Sequence, residues 1–354
     1  MTLSPNDLRA IFDATTPLTV GLEEEVLLLD RETLAPAPVA SRILGALDGD
    51  PRFKAELPAA QIELVTPPCA TPAEAVERLA AARGTLLDAC AGVARPAAVA
   101  VPPLGDPLGE LNTGGRYDAI LAEYGDVARR QLVSALQVHV ALGDADTTLR
   151  VYNALRAWLP ELAALAANGA YYAGRDTGLA SMRPLIGENL PRQGVPPALP
   201  SWEAYAAELA WGAAAGALPE AAMWWWELRP HVTHGTLELR VPDAQATMED
   251  VAALVAVVVG LIRRLVDEPP APDVPTWRIE ENRWSACRHG LDGELADLAT
   301  GARRGTRERL RRLVGELGLD PLPLVEVNGA IRQRRTGSAR GAARWAADAY
   351  ASGT

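Results

Sequence analysis

The sequence predicts an α+β fold: an antiparallel or mixed β-sheet, covered by helices on one side and open to ligand on the other. Three observations predict it. Four segments alternate apolar and polar residues with the two-residue period of a strand, and each polar face carries acids, His or Arg. Cap signals followed by alanine- or leucine-rich runs mark helices through much of the remainder. Stretches rich in Gly and Pro separate the two kinds of segment. The 354 residues suffice for one large domain or two closely joined ones.

The first strand is expected over Leu18–Leu29. It sets Val20, Leu22, Glu24, Val26 and Leu28 against Gly21, Glu23, Glu25, Leu27 and Leu29. A second is expected over Phe53–Val65, bent near Pro58, with Gln61 and Glu63 opposite Ile62 and Leu64. The third, Ser134–Leu142, turns Gln137 and His139 away from Leu136, Val138 and Val140. The fourth, Gly235–Val241, alternates Thr236, Glu238 and Arg240 with Leu237, Leu239 and Val241. Such alternation suits a sheet with one packed face and one polar face.

Helix signals are equally local. Thr71, Pro72 and Glu74 mark a start that runs to about Gly92. Asp146–Asn168 reads as a leucine-bearing helix that Pro160 bends or divides. Thr247 with Asp250 starts another through the apolar run to Leu265, and Arg307–Leu317 and Gly341–Tyr350 follow. Pro102–Gly115 and Gly174–Pro200 read as loops, the latter as a substrate lid or a long surface connection. Pro269–Pro275 marks a boundary before a C-terminal helical subdomain over 276–350, within one catalytic domain spanning 1–354.

Composition narrows the function. A net charge of −11 argues against broad nucleic-acid binding. The arginines between Arg303 and Arg312 lack the interleaved aromatics of a single-strand platform and read as a solvated helix face. Cys69, Cys90 and Cys287 are widely spaced, with neither a zinc pattern nor a disulfide framework. No basic segment followed by a long apolar one opens the chain, and Val251–Ile262 is too short to span a bilayer. A cytoplasmic protein with no membrane partner is expected.

The polar faces carry the chemistry. Glu23 and Glu25 share a face, Glu56 and Glu63 come from the next strand region, and Glu238 from a distant one. Mg²⁺ takes hard oxygen ligands and shares them with the phosphates of ATP, so convergent glutamates form a metal–nucleotide site without thiols. Arg240, two residues beyond Glu238, suits contact with phosphate, and His139 suits either the metal or a phosphate. Glu24 points the other way and is the weaker ligand. The alternation also predicts that Glu238→Gln impairs chemistry without disturbing the fold. An isolated glutamate on a strand is more often solvated or ion-paired; repetition across four strands favours a site.

Several segments resemble the type-2 glutamate–cysteine ligase family of bacterial carboxylate–amine ligases. They are Gly21-Leu22-Glu23-Glu24-Glu25, the Glu56–Glu63 block ending in Thr66-Pro67, Val138-His139, and Gly235-Thr236-Leu237-Glu238-Leu239-Arg240. Arg175-Asp176-Thr177-Gly178 and Glu281-Asn282-Arg283-Trp284 add to it, and the resemblance runs from about residue 17 to 348. It implies a funnel-like antiparallel sheet with surrounding helices, resembling glutamine-synthetase-like catalytic domains. It also implies Mg²⁺–ATP held by Glu23, Glu25, Glu56, Glu63 and Glu238, with His139 and Arg240 positioning phosphate. Gln137 departs from the family pattern, where many relatives have a second histidine.

The implied reaction activates a small carboxylate as an acyl phosphate and passes it to an amine. Glutamate and cysteine are the pair the family name suggests, although the family does not require that pair, and a homo-oligomer is implied. Arg183 is the expected carboxylate clamp, because a guanidinium makes two parallel contacts to a carboxylate, with Ser181 beside it. Two other readings remain open: an ATP-dependent small-molecule kinase, and a noncatalytic nucleotide or nucleic-acid binding module. Trp224-Trp225-Trp226 belongs to the core, the site or a subunit contact, with Trp224 and Trp226 expected inward and Trp225 opposite.

Overall fold

A computed structural model describes residues 3–218, 220–270 and 272–353; Ala271, inside the 269–275 segment read above as a boundary, lies outside the described residues. The strands are β1 (Val20–Leu29), β2 (Phe53–Ala55), β3 (Gln61–Val65), β4 (Arg95–Ala97), β5 (Leu136–Ala141), β6 (Tyr171–Tyr172), β7 (Arg175–Asp176), β8 (Leu228–His231), β9 (Thr236–Leu239), β10 (Glu294–Ala296) and β11 (Arg303–Gly305). Seven of them build one sheet in the order β2-β3-β1-β5-β9-β8, with β4 pairing to one end of β1. Every pairing in it is antiparallel. The remaining four form two short ribbons, β6–β7 and β10–β11.

The core face of the sheet is the one the alternation predicts. Val20, Leu22, Val26, Leu28, Ile62 and Leu64 are buried, joined by Leu136, Val138, Val140, Leu237 and Leu239. Against them pack the helices Pro72–Cys90 and Met248–Asp267. The Thr71 and Thr247 hydroxyls accept the Glu74 and Asp250 amides, so both caps form as read. The Asp146–Asn168 region divides at Pro160, into Ala145–Leu155 and Leu159–Ala166 joined by a short 3-10 turn. Helices Thr276–His289, Thr306–Glu316 and Ala339–Ser352 contribute Ile279, Leu310 and Tyr350 to the same core. Among the described residues no helix is long and apolar enough to cross a membrane.

Glu24 is the exception on the core face. It is fully buried, and Arg83 of the Pro72–Cys90 helix meets its carboxylate through Nε at 2.8 Å and through Nη2. Arg83 also donates to the Gln245 carbonyl at 2.7 Å and lies 4.6 Å from the centre of the Tyr350 ring. A buried pair whose hydrogen bonds are this complete ties the sheet to its helical cover.

Two readings need correction. Phe53–Val65 is a hairpin rather than one bent strand, so Glu56 lies in its turn. A short strand, β8, also precedes β9 and forms the sheet's edge. The arginines of 303–312 all sit in ion pairs, with Glu294, Glu308, Asp292, Glu161, Glu326 and Glu316; Arg303, Arg304, Arg311 and Arg312 are exposed, whereas Arg307 is half-buried and Arg309 reaches inward to the buried Glu161. All three cysteines are buried and unbridged.

Candidate active site

The register of the sheet assembles the site. Glu23 and Glu25 leave β1 on the polar face; Glu25 stands opposite Glu63 of β3, and Glu23 opposite Gln137 of β5. His139 pairs with Glu238 of β9, and Glu238 pairs in turn with Arg229 of β8. A cleft of about 330 Å³ opens on this face, and Glu23, Glu25, Glu56, Glu63 and Arg240 all line it. Glu23, His139 and Glu238 each offer a ligand atom within 4.8 Å of the others, at the border with a second cavity.

Burial and crowding set the charges. The Glu25 carboxyl is pushed up to about 7 by burial and then by Glu56, against the pull of Arg240. Glu63 is raised well above the carboxylate range by burial, then by Glu56 and Glu23, and burial raises Glu56 as well. Like charges placed opposite on neighbouring strands are destabilising, and a divalent cation with oxygen preference relieves that. The donor set therefore fits Mg²⁺.

Glu238 behaves oppositely. Burial works against its charge, yet Arg229 and Arg240 hold it well below its ordinary value. Arg229 grips it through Nε and Nη2, and Arg240 Nη1 lies 2.5 Å from its Oε1. Burial also opposes ionisation of Glu23, and His139 outweighs it, holding the carboxyl at about 2. The His139 ring fixes its Nδ1 at 2.9 Å from Thr236 Oγ1 and leaves Nε2 without a hydrogen bond, 3.5 Å from Glu23.

Gln137 links the two halves of the site. Its Nε2 donates to Glu25 Oε1 at 3.0 Å, and its Oε1 accepts from Arg240 at 2.7 Å. A second histidine could not donate and accept in this arrangement without fixing its tautomer, whereas an amide does both at once. Glu25 Oε2 additionally accepts the Ala135 amide at 2.7 Å.

The expected substrate contacts fall differently. Arg183 donates to Asp243 at 2.8 Å, to the Arg240 carbonyl at 3.2 Å and to that of Val241, so its fork fastens the chain just beyond Arg240. It borders a small space beside Arg240 rather than the main cleft. Ser181 is buried, its hydroxyl has no partner, and its carbonyl accepts the Cys287 thiol, so it is not brought to the cleft. The 174–200 segment is not a free lid: Ile186, Leu190, Val195 and Leu199 are buried. Trp224 is buried and Trp225 lines the cleft, the alternation expected of the triplet.

The sequence reading missed Arg229, His231 and His234. All three line the cleft, and the His231 and His234 rings stack 4.4 Å apart, with His139 5.5 Å from His231. A signal was present: three of the chain's four histidines lie here, two of them flanking the Gly235 turn. Gly235 takes a φ of +64°, and a Cβ there would stand 2.6 Å from the Ile11 carbonyl oxygen, so this hairpin turn needs glycine.

A second cavity of about 360 Å³ shares Glu23 and His234 with the first. Its walls are largely uncharged, with Thr15, Thr16, Thr19, Thr66 and Thr236 beside Gly21 and Val20.

Comparison with known proteins agrees with this architecture. The family model of glutamate-cysteine ligase family 2 matches residues 19–331. A Rubrobacter xylanophilus protein named "Putative glutamate–cysteine ligase 2-3" is 36% identical over 346 residues, covering 94% of this chain and 93% of that one. A Salinispora arenicola protein whose name gives glutamate–cysteine ligase 2 with the same qualifier is 37% identical over 298 residues, 81% of this chain and 78% of its own. Among solved structures, the glutamate–cysteine ligase of Francisella tularensis in complex with AMP matches with a TM-score of 0.67 at 12% identity, over 96% of this chain and 89% of that one. A bifunctional glutathione synthetase from Pasteurella multocida matches with a TM-score of 0.63 at 15% identity, over 98% and 54%. At those identities the likeness is one of fold, and it is the sequence matches that decide: this chain belongs to glutamate-cysteine ligase family 2.

Proposed function

We propose that the protein is an ATP-consuming ligase that joins a small carboxylate to an amine through an acyl phosphate, with Mg²⁺ as its cation. One observation carries the reading: three glutamates of one cleft, the buried Glu63 and the half-buried Glu25 and Glu56, are crowded until their ionisation is opposed, beside the half-buried Arg240. Membership of the family and a fold shared with an AMP-bound ligase support it.

Glu23, Glu25, Glu56 and Glu63 would hold the cation, with Glu238 and His139 completing the set at the border of the two cavities. When bound, Mg²⁺ supplies positive charge to the phosphate oxygens and aligns them. The threonine-lined cavity, whose one carboxylate is Glu23 at its border with the cleft, suits the nucleoside end of ATP, and the charged cleft suits its phosphates. Arg240 and Arg229 face the charge that develops as the substrate carboxylate oxygen attacks the γ-phosphorus. Glu238 keeps both guanidiniums aimed, and Gln137 sets Arg240 against Glu25. Arg183 acts here as a positioning residue for Arg240 instead of the substrate clamp; Arg116, an exposed cation on the cleft wall near Glu56, would meet the acid substrate's remaining charge. The amine nitrogen then attacks the activated carbonyl, and phosphate leaves.

The test is ADP release from ATP, Mg²⁺ and a candidate acid, with and without amine, followed by product mass. Amine-dependent ADP formation with a mass matching the condensed amide supports the ligase; a phosphorylated acid persisting as the end product establishes a kinase.

A further inference from the structure

The chain holds 33 arginines and one lysine, Lys54, and that lysine lines the charged cleft. It stands on β2, the outer strand of the sheet, where the register sets it opposite Glu63, which in turn stands opposite Glu25. The far side of the sheet mirrors this order. His139 stands opposite Glu238, and Glu238 opposite Arg229 on the other edge strand. Acids thus occupy the middle of the polar face, with a cation on each edge.

The two edges differ in freedom. Arg229 is buried, grips Glu238 through Nε and Nη2, and donates from Nη1 to the Trp224 carbonyl at 3.0 Å. Arg240 is held by Glu238 and Gln137 in the same way. Lys54 has one partner among the described residues, Glu63 Oε2 at 3.5 Å, which is longer than a normal hydrogen bond, and its side chain is 52% exposed. An arginine here would close its fork on Glu63 in two parallel bonds, whereas an ammonium on a flexible stem makes one contact and can give it up. Behind the larger effects of burial and of His139, the Lys54 charge also reaches Glu23 and His234. Those are the two residues that the cleft shares with the threonine-lined cavity, so Lys54 faces the passage a triphosphate would cross.

We propose that Lys54 is the mobile phosphate contact of this site: its ammonium rests against Glu63 in the metal-free protein and turns onto a phosphate oxygen of the nucleotide once Glu63 is given over to the divalent cation. Lys54 and the cation therefore compete for one carboxylate and cooperate on the phosphates. The inference rests on the ATP reading for what the ammonium meets, and on the β2–β3 register alone for the carboxylate it leaves.

Calorimetric titration of the full chain, with Mg²⁺ alone and then with Mg²⁺ and a non-hydrolysable ATP analogue, tests both halves on wild type, K54M and K54R. K54M should bind Mg²⁺ alone about threefold more tightly, because the competing charge is gone, and the Mg²⁺–analogue pair about tenfold more weakly. K54R returns the charge and should bring analogue affinity back to within about threefold of wild type. A residue that merely steadied β2 would not move the two affinities in opposite directions. Reductive methylation with carbon-13 formaldehyde keeps the charge and labels Lys54 alone among the side chains, so NMR follows the ammonium without any substitution. Its methyl signal should shift with Mg²⁺ and shift again with the analogue. Equal analogue binding by wild type and K54M, a K54M that binds Mg²⁺ more weakly as well, a K54R that behaves as K54M does, or a signal left unmoved by a bound analogue overturns the proposal. An analogue that binds none of the three proteins removes the ATP reading, and this proposal with it.

Discussion

Glu25 and Glu63 stand directly opposite each other across the antiparallel β1–β3 pair. Two acids at such a position oppose folding unless a cation lies between them. On the proposed reading, the polar face of this sheet trades stability of the metal-free protein for affinity toward a divalent ion, with Lys54, 3.5 Å from Glu63, relieving part of the crowding meanwhile.

That relation predicts a response to metal. Adding Mg²⁺ to the metal-free protein should raise its melting temperature by about 5 °C at concentrations well above its dissociation constant. Glu63→Gln should raise the melting temperature of the metal-free protein and shrink the response to Mg²⁺. A scanning calorimetry series with and without the ion measures both, and a Glu63→Gln variant that melts lower in the absence of metal contradicts the account.

The same crowding predicts a pH dependence. Glu25 has a folded-state value near 7 against an ordinary 4.5. Between those values the folded protein keeps a proton that the unfolded chain has lost, so this group's contribution to stability falls as pH rises through that window. Urea unfolding of wild type and Glu25→Gln, compared from pH 5 to 8 without metal, should show a steeper decline in the wild type. Mg²⁺ should flatten the difference.

Glu238, a ligand on the proposed reading, is also a structural counter-charge. Because Arg229 and Arg240 both bond to it in a buried setting, Glu238→Gln leaves two guanidiniums short of a counter-charge. Breaking such a pair costs about 3 kcal/mol, so the variant should be measurably less stable as well as less active, contrary to the expectation from alternation alone. Chemical denaturation is the check; unchanged stability would mean that the two arginines do not depend on this carboxylate.

Gln137→Leu isolates the link between Glu25 and Arg240 at little change in volume. Turnover should fall about tenfold while the affinity for ATP changes little, since what is lost is the aim of Arg240 toward charge formed in the transition state. Steady-state kinetics with ATP as the varied substrate read the split between kcat and KM.

Much of this site was legible because strand alternation is a strict rule. Once Leu22, Val138 and Leu239 face the core, Glu23, His139 and Glu238 must face the other way. Glu24 followed from the same parity, although its partner Arg83, 59 residues away, did not. The β8 strand was hidden by its length of four residues and by Pro230, which removes a ladder donor and demotes a strand in any sequence reading. With it went Arg229 and His231. Arg183 was misjudged for another reason: its composition-level polarity is that of a substrate clamp, and only the fold shows Asp243 already in its fork.

The central claim is that a carboxylate oxygen attacks the γ-phosphorus and that the oxygen later leaves with phosphate. Turnover with an acid substrate labelled with oxygen-18 in its carboxylate, in the presence of ATP, Mg²⁺ and an accepted amine, tests it most directly. The account predicts one labelled oxygen in the released phosphate for each amide formed. Unlabelled phosphate accompanying amide formation would contradict it.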